Sequence, residues 1–490
     1  MSQPSPLLAN LQPQPLWSFF AQICAIPHPS YHEQQLRQWI LDWAQQRGLA
    51  TEVDDVGNLI IRKSATPGYA NREPVIIQAH LDMVPQANSD TAHDFTRDPI
   101  VPRIDGDWLT ATGTTLGADN GIGMAAALAV LASDDIAHGP LEVLLTTNEE
   151  AGMDGAFGLK PGLLQGTILL NTDSEEDGEV YMGCAGGIDA HLRLPLSRLA
   201  PLAEGVTLRV ALSGLRGGHS GCDIHRYRGN AIKLLGRLLQ AAGAEVGLQL
   251  ADLRGGSLRN AIPREASAVV VVAAGQEEAL TAALHRYFTQ MADELKLADP
   301  NFKLAISPLD QRPRPLTRDS QQRLLALIRS LPNGVVRMSD AMSGVVETST
   351  NLGVMQLGED QADLLCLIRS LRDSGKQDVV EQMQAVAALA GASIEVGGSY
   401  PGWEPDTRST AMQLVRDSHE QLFGTIPNIM VIHAGLECGL FKAAYPHWDM
   451  VSFGPTIRFP HSPDERVDIA SVGRFWQLLV EVLKRVPERS

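Results

Sequence analysis

The strongest constraint on what this 490-residue sequence can fold into is a set of short apolar runs, each ending in residues of metal-ligand type. Val75-Ile76-Ile77-Gln78-Ala79 runs into His80-Leu81-Asp82, Val143-Leu144-Leu145-Thr146-Thr147 into Asn148-Glu149-Glu150, and Ile168-Leu169-Leu170-Asn171 into Thr172-Asp173. Such runs predict strands, and Val75–Ala79 reads as one buried on both faces. Between them, Asn120–Ala132 is rich in Ala and Met and has helical periodicity. Ahead of them, Trp17–Gly48 reads as two amphipathic helices broken at Ile26-Pro27-His28-Pro29. Strands alternating with helices predict an α/β sheet with helices on both faces. Ligands of such sheets bind beyond the carboxyl ends of the strands. His80, Glu150 and Asp173 are therefore expected on one rim, together with Asp119, which stands just before a helix in Leu116-Gly117-Ala118-Asp119-Asn120-Gly121. His461, in Phe459-Pro460-His461-Ser462-Pro463-Asp464-Glu465, has to return to the same rim.

The pattern changes near Gly183-Cys184-Ala185-Gly186-Gly187. Ile188–Leu194 and Val206–Ala211 alternate apolar and polar residues, as half-buried antiparallel strands do. This style persists to about Val396. After the turn-rich segment Gly397–Pro405 the earlier style returns, with a helix over Ser409–Phe423 and a strand over Asn428–Ile432. The expectation is a discontinuous α/β domain, residues 1–186 and 400–490, interrupted by an inserted α+β domain at 187–399. The insert looks doubled. Asn260-Ala-Ile-Pro precedes an apolar run and a helix over Glu277–Leu295; Asn351-Leu-Gly-Val precedes another run and a helix over Lys376–Ala390. Two similar α+β subunits packed side by side are expected.

Composition narrows the function. A formal net charge of −17 argues against binding a nucleic-acid backbone, which needs concentrated Lys and Arg. Five scattered cysteines without a C-x-x-C fit a reducing compartment rather than a disulfide framework. Met1–Pro15 lacks the basic and apolar regions of a signal peptide, and no apolar run approaches the roughly 18 residues of a membrane span. The expected location is cytoplasmic, with no membrane or nucleic-acid partner. There is no Gly-x-Ser-x-Gly elbow and no phosphate-binding loop.

Two imidazoles and three carboxylates suit Zn²⁺, with Co²⁺ or Mn²⁺ able to replace it, and can serve two ions if one carboxylate bridges; Asp119 is the choice for the bridge. Asp82, two residues beyond His80 on an extended segment, points to the same side and can fix the imidazole tautomer. Of the neighbours Glu149 and Glu150, side chains diverging on extended backbone, one can ligate while the other acts as general base. Plainer alternatives stand beside each: Asp119 reads equally as a helix N-cap, the Glu-Glu pair as solvated, and a lone strand-end His as a hydrogen-bonded surface residue.

Taken together in this chain order, His80-Leu-Asp82-Met-Val-Pro85, Gly117-Ala-Asp119-Asn-Gly-Ile-Gly123, Thr147-Asn-Glu149-Glu150 and Pro460-His461-Ser462 resemble the di-zinc metallopeptidase family of carnosinase, the tripeptidases and the aminoacylases. Ile26-Pro27-His28-Pro29-Ser30-x-x-Glu33 resembles its opening motif, and the resemblance covers nearly the whole chain. It implies a discontinuous di-zinc peptidase domain with an inserted lid, and metal-dependent hydrolysis of unblocked L-dipeptides, Xaa-His dipeptides included. It further implies that His80 and Asp173 bind one zinc and Glu150 and His461 the other, with Asp119 bridging. Glu149 would be the general base, Asp82 would orient His80, and a cis peptide would follow Asp119. His219, in Gly217-Gly218-His219-Ser220-Gly221, would donate to the oxyanion. Asn260, Arg369 and Glu437 are substrate-binding candidates; Arg372 is an alternative to Arg369, and His433, near Glu437, reads equally as a core residue. A tripeptidase or an N-acyl amino-acid deacylase is the alternative enzyme, and a binding or scaffold protein the alternative without catalysis. A homodimer is the expected assembly.

Overall fold

The doubly buried runs form the middle of an eight-stranded mixed sheet. In the computed structural model, which describes residues 6–88, 90–202 and 204–489, Val75–His80 lies between Leu141–Thr146 and Ile168–Asn171 and runs parallel to both. Residues 1–5, part of the segment read above for a signal peptide, lie outside the described residues. All three strands are buried throughout, as parallel strands covered on both faces must be. Asp449–Ser452 extends the parallel set beside Ile168–Asn171. Leu59–Lys63 and Ala50–Val53 add antiparallel strands on one side, Glu179–Cys184 and Asn428–Ile432 complete the other.

Helix Ala118–Ala132 is buried from Ala118 through Leu131, the expected state of a helix that is apolar all round. Gln14–Ala25 packs against it. The last helix, Ile469–Arg485, turns Val472, Phe475, Leu479, Val482 and Leu483 into the same core. A small four-stranded sheet pairs Ile457–Arg458 with Arg466–Asp468, and the latter with Trp108–Ala111. The segment 459–465, with His461, is the turn between its first two strands.

These elements belong to one compact unit, Met1–Cys184 with Trp403–Val431 and Leu436–Ser490; Ala185–Gly402 and Ile432–Gly435 make a second. The second unit is built on a nine-stranded sheet. Strands such as Gly186–Pro195 alternate buried and half-buried residues, and helices Ala231–Val246, Glu277–Leu295, Arg318–Ser330 and Asp373–Ala390 share their core.

Its topology is duplicated. One half runs strand Gly205–Ser213, helix Ala231–Val246, strands Gln249–Gly255 and Ala266–Ala273, helix Glu277–Leu295, strand Lys303–Leu309. The other runs strand Gly186–Pro195, helix Arg318–Ser330, strands Val346–Leu357 and Gln361–Ser370, helix Asp373–Ala390, strand Ser393–Tyr400. Both place their second, third, first and fourth strands side by side, all antiparallel. The halves meet where their second strands pair. The first half is nested between the first strand and the remainder of the second. The two asparagines that suggested the doubling are not equivalent: Asn351 lies inside Val346–Leu357, whereas Asn260 lies in the loop after Gln249–Gly255.

Among the described residues the five cysteines are free, and no helix is long and apolar enough to cross a membrane.

Candidate metal centre

His80, at the end of its strand, has Nδ1 2.9 Å from the main-chain oxygen of Asp82. A carbonyl oxygen only accepts, so the Nδ1 proton is fixed there and the Nε2 lone pair faces the site. That lone pair meets Oδ1 of Asp119 at 3.2 Å and Oδ1 of Asp173 at 3.3 Å. Two acceptors against a lone pair require a proton or a metal ion between them. On the other side of Asp119, Oδ2 lies 3.3 Å from Nε2 of His461, which lies 3.0 Å from Oε2 of Glu150. The five residues thus form two sets that share Asp119, one oxygen to each. Ligand atoms of His80, Asp119 and Glu150 all lie within 4.8 Å of one another, as do those of His80, Glu149 and Asp173. Oε1 of Glu150 is buried with no hydrogen-bond partner, an orphan that a metal ion would satisfy.

The electrostatics agree. Burial, then the charge of Asp119, pushes the Glu150 carboxyl up to about 7. Burial likewise pushes Asp173 up to about 6 and Glu175, which shares this acidic field, to about 9. Burial and the charge of Asp173 hold Glu149 well above the usual carboxylate range. Hydrogen bonds to Asp119 and Glu150 push His461 up to about 11. The centre is short of positive charge, the deficit that cations bound by imidazole and carboxylate make good.

Local structure explains how each ligand is presented. Gly117 holds φ at +73°, a left-handed conformation that favours glycine, and turns the chain into Asp119. The Asp119–Asn120 peptide is cis. Asn120 Nδ2 donates to Oδ1 of Asp173 at 2.7 Å and to the carbonyl of Thr172 at 2.8 Å, tying the second carboxylate to the first. A Cβ at Gly123 would meet the Thr172 hydroxyl at 2.2 Å, so only glycine allows this approach.

Glu149 and Glu150 are not on extended backbone. They open a short helical turn, Glu149–Gly152, entered through Asn148 at φ +51°. Asp82 organises that turn, accepting from the N–H groups of Glu149 (2.9 Å) and Glu150 (3.2 Å) and from the Ser30 hydroxyl (2.7 Å). Its carboxylate is 3.4 Å from Nδ1 of His80. Glu33, buried, accepts from the Thr147 hydroxyl and the Asn148 N–H, both at 2.8 Å. Glu465, buried, accepts from four consecutive backbone N–H groups, Leu116 to Asp119. None of Ser30, Glu33 and Glu465 was assigned a task from sequence. Their partners lie tens to hundreds of positions away, and a carboxylate that accepts from backbone leaves no local signature.

Glu437 is 1% exposed, with Oε2 accepting from Gln78 Nε2 (2.6 Å) and the Thr146 hydroxyl (2.9 Å). Its Oε1 is buried without a partner, and burial pushes the carboxyl up to about 8.

The second unit holds its own polar group. Arg369 is 5% exposed, and no carboxylate pairs with it among the described residues. Its donors reach only Ser220 Oγ (3.3 Å) and the Tyr400 hydroxyl (3.2 Å), while Nη2 faces Nε2 of His219 at 3.4 Å. His219 Nδ1 accepts from the N–H groups of Gly221 (3.2 Å) and Cys222 (3.0 Å), so its proton sits on Nε2. Burial, then Arg369, pushes His219 down to about 4 and His433 to about 3. Two N–H donors facing each other cannot bond one another, which leaves both available to acceptors. His433 is a core residue bonded to Ser349 Oγ at 2.7 Å. Asn260 is exposed; its carbonyl accepts from Ser220 N–H.

An α/β sheet carrying two histidine–carboxylate sets joined by one aspartate defines a candidate two-metal hydrolase centre. Residues 76–485 match Peptidase family M20/M25/M40, and the chain belongs to that family. The cytosol non-specific dipeptidase of Escherichia coli (strain K12) is 55% identical over 482 residues, 98% of this chain and 99% of that protein. The crystal structure of aminoacylhistidine dipeptidase from Vibrio alginolyticus superposes with a TM-score of 0.92 at 55% identity, covering 99% of both chains. A tripeptidase from Staphylococcus aureus has a TM-score of 0.57 at 16% identity over 97% of this chain and 99% of its own, a likeness of fold.

Proposed function

We propose that this protein is a metal-dependent dipeptidase that hydrolyses unblocked L-dipeptides, Xaa-His dipeptides among them. The observation that carries the proposal is Asp119, whose two oxygens address His80 and His461 separately at 3.2 and 3.3 Å. The relatives named dipeptidase, 55% identical over nearly the whole chain, support the same substrate class.

His80, Asp173 and Asp119 would hold one divalent ion and His461, Glu150 and Asp119 the other, zinc in the first place, with cobalt or manganese as substitutes. Such a pair supplies Lewis-acid polarisation of the scissile carbonyl and lowers the pKa of the attacking water. Glu149 takes the proton from that water and returns it to the leaving amine, the double role of a carboxylate general base placed beside the ligands. Asp82 keeps the Glu149 turn and the His80 ring in register. His219, neutral with its proton on Nε2, is the candidate donor to the oxyanion. Arg369, a buried guanidinium with no acid partner, receives the substrate C-terminal carboxylate as a charge-assisted pair, with Asn260 and Glu437 as further substrate contacts. The assembly is a homodimer, the commonest form of soluble oligomer, and light scattering in solution tests it. The location is cytoplasmic, in keeping with five free thiols.

The test is metal analysis of the purified protein with assays on Ala-His, β-Ala-His, a tripeptide and an acetylated amino acid, each with and without chelator. Hydrolysis of the dipeptides that chelator abolishes and metal restores is expected. Preference for the tripeptide or the acetylated substrate would move the assignment to tripeptidase or deacylase, and turnover of none would leave a binding protein.

A further inference from the structure

Glu465 is 1% exposed and lies 346 positions from Asp119, yet its carboxylate is a hub of the metal-ligand scaffold. Oε2 accepts from the N–H groups of Leu116 (2.7 Å) and Gly117 (2.9 Å), and Oε1 from those of Ala118 (2.8 Å) and Asp119 (3.2 Å). A carboxylate has about four lone-pair sites, so this one is saturated by a single stretch of backbone. The left-handed turn at Gly117 belongs to the same stretch, and successive N–H groups in such a turn form a concavity for an anion. Here the anion comes from the chain itself.

The other end of Glu465 is fixed to the opposite ligand. Its N–H donates to the Ser462 carbonyl at 3.0 Å, which closes the turn carrying His461, and its carbonyl accepts from the Thr110 hydroxyl at 2.8 Å. One residue therefore sets where the bridging aspartate stands and where His461 returns to meet it. His461 has φ +62° and a side chain about half exposed. Among the described residues its ring pairs with Asp119 and Glu150.

We propose that Glu465 is a positioning residue for the metal centre: by clamping the 116–119 backbone to the 461–465 turn, it preorganises the set formed by His461, Glu150 and Asp119. It touches neither substrate nor the attacking water. The inference rests on the metal reading of the site given above.

A matched control lies within the same unit. Glu142 is also buried and also accepts from two backbone N–H groups, those of Gln165 and Gly166, both at 2.8 Å, but it lies at the start of its strand rather than near the ligands. Full-length wild type, Glu465→Gln and Glu142→Gln are stripped with chelator and titrated with Co²⁺, followed by calorimetry and by the visible absorption of the bound ion. Wild type is expected to take up two ions. Glu465→Gln places an amide NH₂ against backbone donors and should weaken the second binding event about 10- to 100-fold, the usual effect of losing an outer-shell partner, and change its absorption band. Glu142→Gln should lower the melting temperature and leave both binding events as in wild type. Should Glu465→Gln not fold, Glu465→Asp, which keeps the charge one methylene short, is expected to show an intermediate loss. Two ions bound by either Glu465 variant with wild-type affinity would overturn the inference, as would an equal loss in Glu142→Gln. Wild type that binds no divalent ion would overturn the metal reading itself, and this inference with it.

Discussion

Histidine serves opposite ends in the two units of this protein. In the first, His80 and His461 stand among carboxylates, which raise the pKa of both rings, His461 to about 11. In the second, His219 and His433 stand near the Arg369 guanidinium, and burial with that charge pushes them down to about 4 and about 3. One group is short of positive charge and the other short of negative. The side chain is the same, and the field around it decides whether the site is made for a cation or for an anion. The proposed dipeptidase reading gives each a use: cations to polarise the scissile bond, and a cationic anchor for the substrate carboxylate.

The sharpest way to break this comparison is to remove the proposed general base and keep the five candidate ligands. Glu149→Ala is expected to keep its metal and to lose about 10²- to 10⁴-fold in kcat, the usual contribution of a positioned general base. Metal content and kcat measured on the same preparation check it. Metal-replete protein with near wild-type turnover would show that the proton is handled elsewhere.

The basic group should answer differently. Arg369→Ala removes a charge-assisted contact of roughly 1.5–3 kcal/mol, or about 10- to 150-fold in kcat/KM for dipeptides. Dipeptide amides, which lack the carboxylate, should lose far less. A variant that penalises acids and amides alike would mean that Arg369 supports the fold of the second unit rather than the substrate.

How much of this was legible in the sequence follows from the range over which each residue acts. His80, Asp119, Glu150 and Asp173 announce themselves because each ends an apolar run or precedes a helix, and the structure brings all of them into contact with one another or with His461. The two sheets were visible for the same reason, since burial on two faces and burial on one leave different periodicities. What stayed hidden works across long separations through backbone. Glu33 and Glu465 stabilise turns that sequence periodicity cannot see, and their acceptor role needs only a carboxylate. The helical turn at Glu149–Gly152 was misread as extended because the left-handed entry at Asn148 has no glycine to mark it. The nested duplication was half visible: similar element spacing showed that there were two halves. It did not show that the first strand of one half precedes the whole of the other.

Glu33 sharpens the comparison on the acidic side. Glu33→Ala would leave the buried N–H of Asn148 and hydroxyl of Thr147 without an acceptor, a cost of about 1–3 kcal/mol each at most. Because those two residues lead directly into Glu149, kcat should fall about tenfold, equivalent to 1.4 kcal/mol at the transition state, with a lowered melting temperature and little change in KM. A lower melting temperature with unchanged kcat would confine Glu33 to the fold.

The last effect concerns the basic group alone, and its sign is fixed. His433 is buried and its pKa is depressed to about 3. Above the ordinary histidine value of about 6.5 it is neutral in both folded and unfolded chains and stability is unaffected. Below about 6.5 the unfolded chain binds a proton that the folded one refuses, so stability falls as pH drops toward 3, by at most about 1.4 kcal/mol per pH unit. His433→Gln, which can keep a hydrogen bond to Ser349, should flatten that part of the curve. Thermal unfolding of metal-free wild type and variant between pH 7 and 4 measures the difference, and the variant should gain relative stability as the pH is lowered. Parallel curves would show that His433 charges freely in the folded protein, and the contrast between the two histidine environments would then rest on His219 alone.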